Sequence, residues 1–375
     1  MRKLAEIYWK KPVVINNEAL SLDSGLDARL IHPGRFGSQY PRMLFRKNGV
    51  WMIVYTVYRN HGYLADPHGG NTLVVAISED CGSSWREIAE LSDPGRDLDN
   101  GQILELADGS LLLACRSVIW QQSYILPVYR SADNGMTWER ISIIDENVGE
   151  KAGSLGNPDR GVYEPHMLLL DDGSVAVMYA SEKYACSIPE YSQVISEKVS
   201  LDGGYTWGEE LITVRDLEKP RARPGMPVWD RCSDGSYVLC FEIIATEGGD
   251  VFLKRSADGV VWDNGLGQRV PMQKGGAFVL PLDENILLVT SNTHHVTFSS
   301  DGGRTWKVNP DSPWETLWTE AIDNGAVCTV ENGNVWPAMY RLNDREILFV
   351  TSVGRPSDGG NNIQFRIGEL RYEQE

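Results

Sequence analysis

The sequence predicts an all-β chain, a six-bladed β-propeller of four-stranded antiparallel blades, with residues 1–375 forming one domain. Three observations carry this reading. An eight-residue turn pattern recurs along the chain, a second hairpin signal recurs between its copies, and the period holds from end to end. A chain divided into two domains would not keep that period.

The turn pattern comes first. Ser78-Glu79-Asp80-Cys81-Gly82-Ser83-Ser84-Trp85 has the form S-x-D-x-G-x-x-W. Ser131 to Trp138, Ser200 to Trp207 and Ser299 to Trp306 repeat it, and Ser256 to Trp262 is a copy one residue shorter. The residue types are those of a hairpin turn. Asp accepts hydrogen bonds from turn amides, Gly takes a positive φ, and Trp folds back as a large apolar plug expected to be largely buried. A turn accounts for the whole pattern, so it is read as structural and not as a ligand or metal site.

The second signal is an apolar hairpin turning at Asn48-Gly49, Asp108-Gly109, Asp172-Gly173, Asp234-Gly235, Asp283-Glu284 and Asn343-Asp344, at intervals of 49 to 64 residues. Branched, aromatic and other apolar residues flank each turn, as in Ser174-Val175-Ala176-Val177-Met178-Tyr179. Blades are therefore expected near 40–92, 98–146, 163–215, 226–268, 275–312 and 335–375. The last lacks the turn pattern. Residues 6–16 are expected to supply its outer strand and so remove an exposed edge.

Composition limits the partners. A net charge of −17 opposes nucleic acid and anionic membrane, which need a positive footprint, and leaves a neutral ligand open. Met1 to Glu6 has basic residues with no apolar run behind them, and no stretch approaches the ~18 apolar residues of a membrane span. The expectation is a cytoplasmic protein, or a secreted one whose leader has been removed. Six scattered cysteines with no C-x-x-C read as small buried apolar residues, not as a disulfide framework. No metal-ligand spacing, cofactor motif or G-x-S-x-G occurs, and the oligomeric state stays open.

The register selects candidate site residues. Positions about eight before and eight after each hairpin turn lie at one end of a propeller's channel, opposite the S-x-D-x-G-x-x-W turns. Eight before stand Tyr40, Asn100, Glu164, Met226, Gly275 and Val335; eight after stand Thr56, Arg116, Ala180, Glu242, Ser291 and Thr351. A carboxylate ending an apolar strand is costly unless exposed or paired. Glu164 and Glu242 thus read either as solvated or ion-paired strand ends, with Arg116 as a possible partner, or as a glycosidase pair of acid/base and nucleophile. A retaining pair needs its carboxyls ~5–5.5 Å apart and an inverting pair ~6.5–9.5 Å. Arg42 and Arg116 would position a sugar or orient a carboxylate, with Asn100 and Tyr163 beside them, unless they are structural. His166 reads as a substrate contact or as a satisfied inner-strand histidine. His294 and His295 would point to opposite faces of a strand. Trp318 and Trp336 read as stacking platforms for a sugar ring or as core.

The repeated turns resemble the Asp-box of sialidases, which implies a sialidase-like propeller over the whole chain. Within that group, Tyr40-Pro41-Arg42, Asp99-Asn100-Gly101, Cys115-Arg116, Tyr163-Glu164-Pro165, Gly225-Met226-Pro227 and Phe241-Glu242 resemble glycoside hydrolase family 93. The resemblance implies a retaining exo-α-1,5-L-arabinanase releasing arabinobiose, with Glu164 and Glu242 as its two glutamates and no assignment of nucleophile against acid/base. Tyr340 is the nearest counterpart of that family's C-terminal tyrosine. An exo-α-sialidase is the second reading. It would need three arginines, of which Arg42 occupies the first position, together with a Tyr-Glu nucleophile and an Asp acid. A non-catalytic glycan-binding module is the third.

Overall fold

The computed structural model describes residues 3–16, 37–58, 70–119, 122–148, 161–262, 265–315, 318–320, 328–330, 334–355 and 360–373. Strands and turns make up nearly all of it, with one short 3₁₀ turn at Lys183–Cys186. The strands fall into antiparallel groups, each wound in chain order. The second group is Asp97–Glu105, Leu111–Ile119, Ser123–Ser131 and Glu139–Val148; the third is Val162–Leu169, Val175–Ser181, Val194–Ser200 and Leu211–Val214. The fourth is Arg223–Arg231, Tyr237–Ile244, Asp250–Ser256 and Gln268–Lys274, and the fifth is Phe278–Pro281, Leu287–Thr290, Thr297–Ser299 and Lys307–Val308.

The first group (Gly37–Phe45, Trp51–Tyr58, Thr72–Ser78, Arg86–Leu91) and the sixth (Val335–Arg341, Glu346–Gly354, Asn361–Tyr372) are joined by one parallel pair, Asn361 with Gly37. Leu4–Trp9 and Val13–Val14 both pair with Asn361–Tyr372, so the chain's first strands complete the group its last strand belongs to. A short hairpin, Trp318–Glu320 with Cys328–Val330, was not expected from the sequence. The first strands of successive groups touch in order, from Gly37–Phe45 through Asp97–Glu105, Val162–Leu169, Arg223–Arg231 and Phe278–Pro281 to Val335–Arg341, which returns to Gly37–Phe45. Apolar clusters fill the spaces between neighbouring groups, each drawing on the facing sides of two sheets or more.

Both turn signals have a physical account. In all six inner hairpins the first turn residue accepts the N–H two positions on: Val50 to Asn48, Ser110 to Asp108, Ser174 to Asp172, Ser236 to Asp234, Asn285 to Asp283 and Arg345 to Asn343, at 2.8–3.1 Å. In the longer repeats Asp80, Asp133, Asp202 and Asp301 accept the N–H four residues on at 2.8–2.9 Å, and the leading Ser Oγ accepts the N–H of the box glycine. Those glycines have φ near +90°, where a Cβ would be strained.

Two expectations are corrected. Trp85, Trp138, Trp207 and Trp306 are half-buried, not largely buried. Each indole packs on the end of an apolar cluster. Trp85 and Trp138 donate Nε1–H to the carbonyl of their own box glycine, which ties them to the rim of the core. Cys81 is exposed, because it occupies a tip position of the first box turn; Cys115, Cys232 and Cys240 are buried and free.

Candidate active site

In five of the six groups the first strand is interrupted at the same place. Gln39 pairs with Thr56 and Arg42 with Val54, so Tyr40-Pro41 bulges out of the ladder. Asn100-Gly101, Glu164-Pro165, Met226-Pro227 and Trp336-Pro337 do the same. Tyr40, Asn100, Glu164, Met226 and Trp336 all have φ between 51° and 61°, and in the fifth group Gly275 and Gly276 have φ of 64° and 56°. A non-glycine residue pays for a positive φ, and such strain collects at functional rims. Proline fits there because it has no N–H to give the ladder. The bulge also corrects the register: Tyr163, not Glu164, is the partner of Ala180.

The bulge N–H groups are held by polar side chains. Glu164 Oε2 accepts the N–H of Met226 at 2.7 Å, Glu242 Oε2 that of Gly276 at 2.5 Å, and Asn292 Oδ1 that of Trp336 at 2.8 Å. Asp99 Oδ1 accepts the N–H of Asn100 at 2.7 Å. One oxygen of each glutamate is thereby fixed, which orients the carboxyl.

Gly225 lies next to the Glu164 carboxyl. It is the cross-strand partner of Glu242, and a Cβ built on it would lie 3.5 Å from Glu164 Oε2. The Gln193 amide crowds the same place, with its Nε2 2.7 Å from that Cβ position. The surroundings of the two carboxyls differ. Burial and then the Glu164 charge push Glu242 up to about 8, against the Gly276 N–H and Arg223. Burial also raises Glu164, but the Met226 N–H, Arg116 and Arg223 all favour its charged form. Both carboxyls are thus displaced upward, with two guanidinium groups, Arg116 and Arg223, opposing the rise at Glu164 and one, Arg223, at Glu242.

Residues that the sequence reading did not single out build the walls. Asp99 accepts from Thr56 at 2.7 Å, from Arg116 at 2.5 Å and from Tyr58. Glu182, 1% exposed, accepts from Arg223 at 2.5 Å and from Tyr163 at 3.2 Å, and Arg223 also donates to Gln193. Asp99 lies inside a motif already quoted. Glu182 and Arg223 carry no local signal, since it is tertiary packing that brings their strands together.

The remaining candidates are distributed as follows. Arg116 is buried and ion-paired to Asp99, with Cζ 5.7 Å from the Tyr163 ring. Asn100 is buried with its Oδ1 unpartnered. Arg42 is buried with its Cζ 3.9 Å from the Tyr40 ring centroid. His166 faces Phe278, and burial, then the Arg42 charge, push it down to about 3, so its ring is neutral. Trp336 is half-buried, 6.2 Å from the Tyr40 ring. Tyr340 lies between Phe45 and Phe278, and its hydroxyl accepts the N–H of Met43, joining the sixth group to the first. Trp318 belongs to a described strand, but its side chain lies outside the described set. His294 and His295 stand just after a turn and not on a strand; His294 has φ 57° and bonds Thr351 at 2.7 Å.

Strained bulges and two buried carboxyls thus stand on an all-β scaffold of antiparallel sheets whose fold is similar to those of sialidases and family-93 glycoside hydrolases. Residues 42–266 match the family model described as BNR repeat-like domain, and the chain belongs to that family. Several solved structures are similar in fold. A mutant α-L-arabinofuranosidase from Fusarium graminearum, in complex with an iminosugar inhibitor, is 16% identical with a TM-score of 0.73, over 96% of this chain and 98% of that one. The Penicillium chrysogenum α-L-arabinanase complexed with arabinobiose is 20% identical, also with a TM-score of 0.73 and the same coverage. A Hadza microbial sialidase is 14% identical with a TM-score of 0.57, over 91% of this chain and 68% of that one. Comparison with curated protein sequences gives no match.

Proposed function

We propose that the chain is a retaining exo-acting glycoside hydrolase of the α-L-arabinanase type, built as one six-bladed β-propeller. The ring of contacts among first strands supports closure of the propeller. The reading rests on one observation: two buried carboxyls, each oriented by a bulge N–H, interact electrostatically in contrasting surroundings, the Glu164 charge raising Glu242 while two guanidinium groups favour the charged form of Glu164. Ionised Glu164 attacks the anomeric carbon, while Glu242 gives its proton to the leaving glycosidic oxygen. Glu242, now ionised, takes a proton from the water that releases the glycosyl-enzyme. Arg116 and Arg223 favour the charged form of Glu164 and are themselves fixed by Asp99 and Glu182. Half-buried Trp336, backed by the Tyr40 ring, offers an aromatic face to a sugar ring. The likeness to an arabinanase complexed with arabinobiose supports a neutral pentose oligosaccharide as substrate. A sialidase would need three arginines available to one substrate carboxylate, whereas Arg116 and Arg223 are committed to protein carboxylates.

The test is digestion of linear α-1,5-arabinan with product analysis, followed by glutamate variants. Arabinobiose with retained configuration is expected. Glu242→Ala should lower turnover roughly 10²–10⁴-fold, and Glu164→Ala should leave no turnover in water. Azide should rescue Glu164→Ala to a glycosyl azide of inverted configuration, and Glu242→Ala to one of retained configuration. The opposite pattern would exchange the two roles. Binding of arabinan that survives in an inactive wild-type protein would make the site a lectin's.

A further inference from the structure

Two residues beyond each bulge stands a second layer: Arg42, Gln102, His166, Val228, Phe278 and Ala338. Contacts between strands that are not neighbours show these side chains converging. Arg42 Cζ lies 5.4 Å from the Phe278 ring centroid, and the His166 ring centroid lies 6.4 Å from it. Gln102 is satisfied at both ends by the backbone of Met167. Val228, Phe278 and Ala338 are buried and apolar. Arg42 and His166 are the exceptions. Arg42 is 2% exposed, and its Nη1 donates to the carbonyl of its neighbour Pro41 at 2.9 Å. Its Nε and Nη2 are buried without a partner, and among the described residues no carboxylate forms an ion pair with it. His166 Nδ1 is likewise buried and unpartnered.

A guanidinium taken out of water with no counter-charge is strongly unfavourable. Its two unpartnered donors form the planar fork that suits an anion. We propose that Arg42 and His166 hold one small monoanion, a halide or a lone carboxylate, in the layer beneath the paired glutamates. The Tyr40 ring covers the guanidinium, and neutral His166 can donate Nδ1–H to the same anion. Phe278, Val228 and Ala338 give the site apolar walls, which strengthen a single ion pair by excluding water. The inference does not depend on hydrolysis, because a glycan-binding protein with this layer would hold the anion equally.

The experiment compares thermal unfolding of the full chain in sodium chloride, bromide, formate and gluconate at equal ionic strength, gluconate being too bulky for the layer. A rise in Tm of roughly 2–4 °C is expected in at least one small anion over gluconate, saturating with concentration. Formate ahead of bromide identifies a carboxylate ligand, and the reverse order a halide. Arg42→Met should abolish the difference and His166→Gln should reduce it. Crystals soaked in bromide should show an anomalous peak between the Arg42 guanidinium and His166 Nδ1 whenever the halide is the ligand. Equal Tm in all four salts with no peak at that place overturns the proposal, as does an anion effect that survives Arg42→Met. The salt series and the bromide soak decide it on the unaltered protein if Arg42→Met does not fold.

Discussion

At the scale of single residues, Glu242 and Glu197 show why a displaced pKa needs geometry beside it. Both are buried and both are pushed up to about 8, mainly by burial. Glu197 lies on Val194–Ser200, opposite Met178 and near Asp258 and Trp262 of a box turn, with its Oε2 unpartnered. It has no bulge N–H to orient it, and its neighbouring carboxyl, Asp258, is engaged by its own turn amides. Both groups hold a proton in the folded chain that the unfolded chain releases above about 4.5. Their effect on stability is therefore absent below that pH, grows as pH rises from 4.5 to about 8, and is a full penalty above. Glu242→Gln and Glu197→Gln should each raise Tm at pH 8 and change little at pH 4. Calorimetry across that range checks this, with a gain of a few kcal/mol as the upper limit. Only Glu242→Gln should also remove hydrolysis.

At the scale of elements, the box turns and the bulges carry opposite burdens. Asp80, Asp133, Asp202 and Asp301 are each held at about 2 by hydrogen bonds from the Ser or Thr hydroxyl and amide four residues on. Their folded pKa is depressed, so the stability they add is present above about 4 and is lost as pH falls towards 2. Acid titration followed by tryptophan fluorescence should show unfolding in that window, and Asp133→Asn should move its midpoint upward. The half-buried box tryptophans should cost about 2 kcal/mol on change to Ala, less than a fully buried one, by chemical denaturation. The bulges trade stability for placement. A Cβ on Gly276 would come within 2.7 Å of Asn292 Oδ1 and 2.8 Å of Trp336 Cε3, at φ 56°. Gly276→Ala should therefore displace Trp336 and the N–H that orients Glu242. Turnover should fall far more than Tm, measured side by side.

At the scale of the whole molecule, the chain's first strands hold the sixth group together. Leu4 and Ile7 are buried, Ile7 N–H donates to Asn309 Oδ1 at 2.7 Å, and Trp9 donates to the carbonyl of Asp311 at 3.0 Å. The N-terminal segment is thus bonded both to Asn361–Tyr372 and to the fifth group. Ile7→Ala should cost roughly 2–4 kcal/mol, while the more exposed Val14→Ala should cost less than about 1 kcal/mol. Urea unfolding of the two variants compares them.

What the sequence determined by itself is local and periodic. Asp or Asn followed by a turn, and Ser-x-Asp-x-Gly with its Trp, dictate their own hydrogen bonds within a few residues. The hairpins, their order and the strand ends bearing Glu164 and Glu242 could therefore be read directly. The bulges were half-legible: Pro41, Pro165, Pro227 and Pro337 stand one after another at the interrupted positions, yet counting along ideal ladders hid the extra residue and put Glu164 opposite Ala180. The tertiary structure alone decided which charges meet. Arg223 with Glu182, Asn292 with Trp336, and Glu164 with the Met226 N–H come from different sheets, and no local pattern encodes a contact that exists only once the sheets have packed side by side. The same packing leaves Arg42 without a counter-charge, because the inward neighbours it converges on, Phe278 and neutral His166, carry none.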